Sequence, residues 1–369
     1  MRRIALFICY MIMASYCLYA QSNSSTTIKA NSETVKIIVN GSISNESMPF
    51  SDQRSDTIKI PININPLDFS LYTDTDSVKA RIPENSKFTF NIEKAGMKPL
   101  VIIIQNGIET NEITFDIVEQ NSDLKFIYES GMNNPYLERL KKEYPIDSIA
   151  AKGKTDLEKV RNISSWVHKL WKHNGYNTPE KNDALYILEE VKKGQQFRCV
   201  EYGIVTTACL NAIGLPSRTL ALKRKDVETT PSGAGHVVME VFLNDFDKWV
   251  MVDPQWDAIF CLNDIPLNAV ELQKAITEKK DIQILSDDKE LNPDQYIAWI
   301  YPYLYYFSHK FDNRENIPKE DKIKINGKSD IMLVPIGAKN PTIFQRKFPI
   351  DYCIYSHSVL DFYSKPFLF

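Results

Sequence analysis

The sequence predicts a multidomain protein: an N-terminal β-sandwich, a central α+β domain, and a C-terminal region of mixed helix and strand, rich in aromatics. Three observations carry this. The chain has 369 residues, more than one average domain. Apolar residues recur at every second position between residues 30 and 130. From about residue 150 the apolar spacing becomes helical, and strand-like runs follow the helices. The expected boundaries are 1–20 for a signal peptide, 21–135 for the sandwich, 136–285 for the α+β domain and 286–369 for the C-terminal region.

The first segment begins with Arg2 and Arg3. An apolar run of about 17 residues follows and ends at Ala20, before a polar stretch. A charged start, a short apolar core and a small final residue read as a signal peptide, which makes the mature protein secreted, periplasmic or displayed at the cell surface. A retained membrane anchor is the rival reading, at the short limit for a span. The rest of the chain offers no other candidate span.

The sandwich rests on alternation. Val35, Ile37 and Val39 start it, followed by Ile58, Ile60 and Ile62, then Phe88, Phe90 and Ile92. Ile113, Phe115 and Ile117, and then Leu124, Phe126 and Tyr128, extend the same pattern, which gives about seven strands separated by turn residues. This segment contains no histidine and reads as a structural or binding module.

In the central domain, Leu157, Val160, Ile163, Val167, Leu170 and Trp171 form one helical stripe that Thr155 and Glu158 open as a capping box. A second helix is expected at about 183–193, closed by Gly194, and a third over "VEYGIVTTACLNAI", closed by Gly214. The strands "RTLAL", "HVVMEVFL" and "KWVMVD" follow. In the C-terminal region, aromatics crowd the stretch from Tyr296 to Phe311. That density suits either core packing or a surface on which a ligand stacks.

Composition excludes several classes of function. A net charge of −3, with no large basic patch, argues against nucleic acid as a partner. The His and Cys spacing lacks any zinc pattern, so no metal or other cofactor is expected. Four cysteines remain after residue 20, too few for a disulfide scaffold. Cys199 and Cys209 lie about 15 Å apart along one helix and cannot pair, which leaves Cys261 with Cys353 as the open pairing.

One cysteine is placed for chemistry. Cys199, in "QQFRCVEYG", sits where the third helix starts, and the free N–H groups and dipole of a helix start favour thiolate. Cys209 lies deeper in the same helix among small apolar residues and serves as an internal control. A thiol nucleophile needs a base and a group to orient that base. Among His168, His173, His236, His309 and His357, His236 opens a strand after the small residues "PSGAG". Asp253 ends the next strand. If the turn centres on residues 244–245, His236 faces Asp253 directly, with side chains about 5 Å apart; a longer turn shifts the register by about three residues and needs a bulge to restore the contact. Cysteine at a helix start, histidine at a strand start and aspartate at the next strand end compose a Cys-His-Asp triad.

The run after Cys199, "EYGIVTTACLNAIGLPSRTL", with "GHVVMEVFL" and "KWVMVDPQWD", resembles the core of the transglutaminase-like superfamily of papain-like fold. The likeness covers roughly residues 150–260. The sequence departs from the family pattern at Gln196–Phe197, where small residues are common, at Val238, where Trp is common, and at Gln255, where Thr or Ser is common. The resemblance implies Cys199 as nucleophile, His236 as base and Asp253 as orienting carboxylate. The first oxyanion donor is then the Cys199 N–H, and Gln195, Gln196, Trp166 and Trp171 are the candidates for the second. The implied activity is acyl transfer through a thioester, as a peptidase or amidase if water resolves it and as a transglutaminase if an amine does. The expected partner is a protein or peptide substrate, with a glycopeptide or cell-wall peptide as narrower options. The alternative is a secreted binding or cell-surface protein that keeps the fold without turnover.

Overall fold

In the computed structural model, the described residues are 15–19, 24–32, 35–45, 57–94, 96, 99–118, 124–128 and 134–368. The chain divides into two compact units, Met1–Glu109 and Thr110–Phe369. The first twenty residues, expected as a signal peptide, lie outside the described residues except for β1 (Ser15–Tyr19).

The first unit is built of strands. After β1 come β2 (Ser24–Ala30), β3 (Lys36–Val39), β4 (Ser42–Asn45), β5 (Thr57–Ile62), β6 (Leu67–Tyr72), β7 (Ser77–Ile82), β8 (Ser86–Lys94) and β9 (Leu100–Asn106). They form a five-stranded sheet, β1-β7-β6-β3-β4, and a four-stranded sheet, β2-β8-β9-β5. The apolar residues of these alternations gather in one cluster that draws on both sheets, with Ile58 and Ile60 only partly buried at its margin, and the Phe69 and Phe90 rings lie 5.0 Å apart within it.

The strand alternation expected after residue 110 has a different outcome. Residues 113–117 are irregular apart from a single bridge from Asp116 to Ser358. Among the described residues of this segment, only β10 (Ile127–Tyr128) is a strand, and it pairs with β22 (Phe367–Leu368). Both segments belong to the second unit. Alternation marks half-buried extended chain and does not show which partner supplies the hydrogen bonds.

The second unit opens with α1 (Pro135–Glu143) and α2 (Ile146–Ala150), ahead of the three expected helices. These are α3 (Asp156–His168), α4 (Ala184–Lys192) and α5 (Cys199–Ala212). The Thr155–Glu158 capping box is present at α3, and Gly194 and Gly214 turn the chain after α4 and α5 with positive φ. Eight strands make one sheet in the order β15 (Ile265–Pro266), β14 (Ala258–Leu262), β13 (Lys248–Asp253), β12 (Gly235–Leu243), β11 (Ser217–Lys223), β17 (Tyr306–Lys310), β18 (Asp330–Leu333) and β21 (Cys353–Ser356). A ninth, β16 (Gln283–Leu285), pairs with β14 off this path. The elements α6 (Ala269–Thr277), α7 (Pro293–Ile300), α8 (Val359–Phe362) and the hairpin of β19 (Ile343–Phe344) and β20 (Phe348–Pro349) complete the unit. Residues 286–369, expected as a separate region, thus contribute three strands to the sheet that carries β12 and β13.

The main core lies between the helices and one sheet face, with Val205, Ala208 and Cys209 of α5 set against Met239, Val241 and Val252. Gly203 lets α5 press this closely. A Cβ there would lie 3.3 Å from Val237 Cγ1 and 3.4 Å from the Val238 carbonyl oxygen. Cys261 and Cys353 are free, so the pairing left open above is not made. Their strands, β14 and β21, have five others between them in the sheet order, about 29 Å at ordinary strand spacing.

Candidate active site

Cys199 is the first residue of α5, and Arg198 is extended at the cap position. The Arg198 guanidinium closes on the buried Glu201 carboxylate (Nη2 to Oε1, 2.7 Å), and the Arg198 backbone N–H donates to the same group at 3.0 Å. The only acidic side chain in the first turn of α5 is therefore neutralised beside the thiol.

His236 is the second residue of β12, and Asp253 is the last residue of β13. The turn between the strands spans residues 244–247 instead of centring on two residues, so Met239 faces Val252 and Leu243 faces Lys248. The register differs by two residues from the expected one. An even shift leaves every side chain on its expected face. Continuing this register sets Asp253 opposite Val238, so it reaches His236 diagonally without a bulge. His236 Nε2 lies 2.7 Å from Asp253 Oδ2. A carboxylate only accepts, so Nε2 carries a proton and Nδ1 is the ring nitrogen left for the thiol.

The electrostatics separate Cys199 from the other described cysteines. Burial pushes Cys261 up to about 11 and Cys353 up to about 12, and it raises Cys209 further still. Burial also opposes the Cys199 thiolate. There, however, a hydrogen bond to His236, the charge of that imidazole and the Val237 backbone N–H together outweigh it, and the thiol is held below its ordinary 9.0. His236 moves the opposite way. Burial disfavours its cation, but the Asp253 charge and hydrogen bond, followed by those of Cys199, raise it to about 10. Both shifts lean towards a thiolate beside an imidazolium.

The remaining histidines divide by location. His168 Nδ1 contacts the Gln255 carbonyl at 3.0 Å, His309 contacts the Lys310 and Phe362 carbonyls, and His357 contacts the Val334 carbonyl. His173 lies on the loop after α3, close enough to feel His236 and Asp253, and partial desolvation of its ring and the His236 charge lower its proton affinity.

The four oxyanion candidates occupy different settings. Gln195 and Gln196 are exposed; the Gln195 side chain and the Gln196 carbonyl both accept from Asn177 Nδ2. Trp166 lies on α3, 6.4 Å from the Tyr144 ring. Trp171 is stacked on Tyr202, one turn along α5 from Cys199, with ring centroids 4.2 Å apart, and its indole N–H is buried without a partner.

Three residues of the site come from the aromatic segment that follows residue 285. The Tyr296 hydroxyl donates to Asp253 Oδ2 at 2.6 Å. Trp299 sets its ring edge-on against the His236 ring at 4.9 Å, and the Tyr303 ring lies 6.1 Å from His236. The clustering of aromatics was visible in the sequence, but nothing in it tied these rings to His236.

Comparison with known proteins agrees on the core. Residues 146–254 match the family model described as the transglutaminase-like superfamily. This segment is a transglutaminase-like core. Among solved structures, the chain is similar to a Cytophaga hutchinsonii protein provisionally designated a cysteine protease. Identity is 12%, the match covers 49% of this chain and 62% of that one, and the TM-score is 0.28. It is also similar to red sea bream transglutaminase (10% identity, 64% and 43% covered, TM-score 0.26). The periplasmic domain of TgpA from Pseudomonas aeruginosa, bound to ethylmercury, matches at 12% identity, with 62% and 91% covered and a TM-score of 0.26. The chain thus spans about three-fifths of the length of the Cytophaga protein. A search of curated proteins finds no match. Among the described residues, no helix is long and apolar enough to cross a membrane, and no group of His, Cys, Asp and Glu is arranged to hold a metal ion.

Proposed function

We propose that the protein is a cysteine-nucleophile enzyme acting on amide or peptide bonds through a thioester, with Cys199, His236 and Asp253 as its triad. The observation that carries this reading is the buried His236 imidazole, gripped by the Asp253 carboxylate at 2.7 Å and acting on Cys199 at the start of α5, which among the described cysteines is the one held below its ordinary range.

In the reaction, Cys199 Sγ attacks the carbonyl carbon and the carbonyl electrons move onto oxygen. The Cys199 backbone N–H at the start of α5 donates to that oxyanion, and the Trp171 indole N–H, buried with no partner, is the favoured second donor. As the tetrahedral adduct collapses, the C–N bond breaks and His236 gives its proton to the departing nitrogen. Asp253 keeps the imidazole in the tautomer this requires. Water or an amine then attacks the thioester, His236 takes the proton of that nucleophile, and the thiolate leaves. The substrate is a protein or peptide, including glycopeptides and cell-wall peptides.

We read the N-terminal unit as a β-sandwich that serves as a structural or binding module. Export directed by residues 1–20 to the cell surface or beyond belongs to the same proposal. The test is paired assays on a glutamine-rich protein such as casein, one for ammonia or new amino termini and one for incorporation of a fluorescent primary amine. Cys199→Ala should abolish whichever product wild type forms. Equal product from the wild type and Cys199→Ala would sink the proposal.

A further inference from the structure

Tyr296 reaches the site from α7, beyond the 146–254 segment that matches the family. Its hydroxyl and His236 Nε2 converge on one oxygen, Asp253 Oδ2, at 2.6 Å and 2.7 Å. The other carboxylate oxygen accepts only from the Gln255 backbone N–H, at 3.1 Å. The Tyr296 ring is fixed by neighbours on two sides, stacked on Phe260 at 5.4 Å and edge-on to Trp256 at 5.6 Å. Burial and the Asp253 charge hold its hydroxyl protonated at every working pH, so it is a permanent donor. Building such a donor into the core against the group that already holds the base calls for a role beyond packing.

We propose that Tyr296 is a positioning residue that acts through Asp253, fixing the carboxylate and limiting its pull on the His236 imidazole. A donor to a carboxylate is worth most when that carboxylate faces a neutral partner, and less when an imidazolium already compensates it. The Tyr296 hydrogen bond therefore stabilises the neutral-imidazole state more than the charged one. His236 can then release its proton to a leaving nitrogen, which an imidazole gripped too tightly would resist. The other titratable groups that bear on this cluster are Cys199 of α5, Tyr202 one turn along the same helix, His173 on its loop and Tyr303 after α7. None of these is altered in the test below.

The inference rests on the triad reading, and one experiment separates the two. The His236 imidazole is titrated by NMR in the wild type, Tyr296→Phe, Asp253→Asn and the double variant. The expected result is a high wild-type midpoint, a midpoint about one unit higher in Tyr296→Phe, and no further shift when Tyr296→Phe is added to Asp253→Asn. An unchanged midpoint in Tyr296→Phe overturns the proposal and leaves Tyr296 as a packing residue. An ordinary midpoint near 6.5 in the wild type overturns the triad reading itself. If Tyr296→Phe does not fold, 3-fluorotyrosine placed at position 296 keeps the ring and makes a stronger donor. The midpoint must then move down, and failure to do so also overturns the proposal.

Discussion

Replacing Arg218 with Met strands a charge at the centre of the sheet. Arg218 on β11 directly faces Glu240 on β12, and both side chains are fully buried. The guanidinium donates to Glu240 Oε2 at 2.7 Å and 3.1 Å, and to the Tyr128 hydroxyl and the Phe362 carbonyl at 3.2 Å and 3.3 Å. It also lies 4.1 Å over the Trp249 ring. Without it, Glu240 keeps only the Tyr363 hydroxyl at 2.8 Å and a long contact from the Ala269 N–H. Breaking a buried pair from one side costs about 3–5 kcal/mol, because the remaining ion is uncompensated. At about 2–4 °C per kcal/mol for a unit of this size, the midpoint should fall by about 6–20 °C. Thermal and urea unfolding followed by circular dichroism would measure it. The double variant Arg218→Met/Glu240→Leu removes both charges and should recover at least half of the loss. A single variant within about 1 kcal/mol of wild type, or a double variant worse than the single, would refute the reasoning.

Two further outcomes follow from the site. Trp171→Phe keeps the ring stacked on Tyr202 but removes the orphaned N–H; turnover should drop by about 10²–10³ with Cys199 alkylation unchanged, and an equal loss of both would count against an oxyanion role. Stability should also depend on pH in a specific way. Folded His236 keeps its proton up to about 10, whereas the unfolded imidazole releases it near 6.5, so its contribution is full below 6.5 and is lost as pH rises towards 10. Cys199 acts in the opposite sense, contributing above its unfolded 9.0 and losing that contribution as pH falls through its lowered folded value. The Cys199 slope offsets that of His236 only between the lowered folded value of the thiol and 9.0. Unfolding free energy should therefore decline in wild type as pH rises above about 6.5, and Asp253→Asn, which removes the main group holding the His236 proton, should flatten that decline.

Local signals in the sequence were faithful where the chemistry is local. Helix caps at Thr155 and Glu158, the glycine stops at 194 and 214, and the placing of Cys199 at a helix start all depend on neighbours within one turn. The His236–Asp253 pairing was legible for a subtler reason. The turn is longer than its sequence suggested, yet the change is even, and a period-two strand keeps its faces under an even slip. Long-range pairings were not legible. Ile113 to Ile117 alternate like a strand, but no neighbouring strand takes up their hydrogen bonds beyond one bridge. Tyr296 and Trp299 carry no local mark that points them at β12 and β13, since an aromatic-rich helix looks the same whether it packs on a core or on a base. Arg218 and Glu240, visible in "LPSR" and "HVVMEV", gain their meaning only once the two strands face each other.

The central claim is that Cys199 is a thiolate paired with His236, and peptide-resolved iodoacetamide modification from pH 4 to 9 tests it most directly. In wild type, Cys199 should react rapidly at pH 6 while the buried Cys209, Cys261 and Cys353 stay slow. In His236→Ala, that advantage should fall at least tenfold, with the reaction recovering only as pH approaches the ordinary thiol range near 8.5. A wild-type Cys199 that titrates like a free thiol, or one indifferent to loss of His236, would contradict the account.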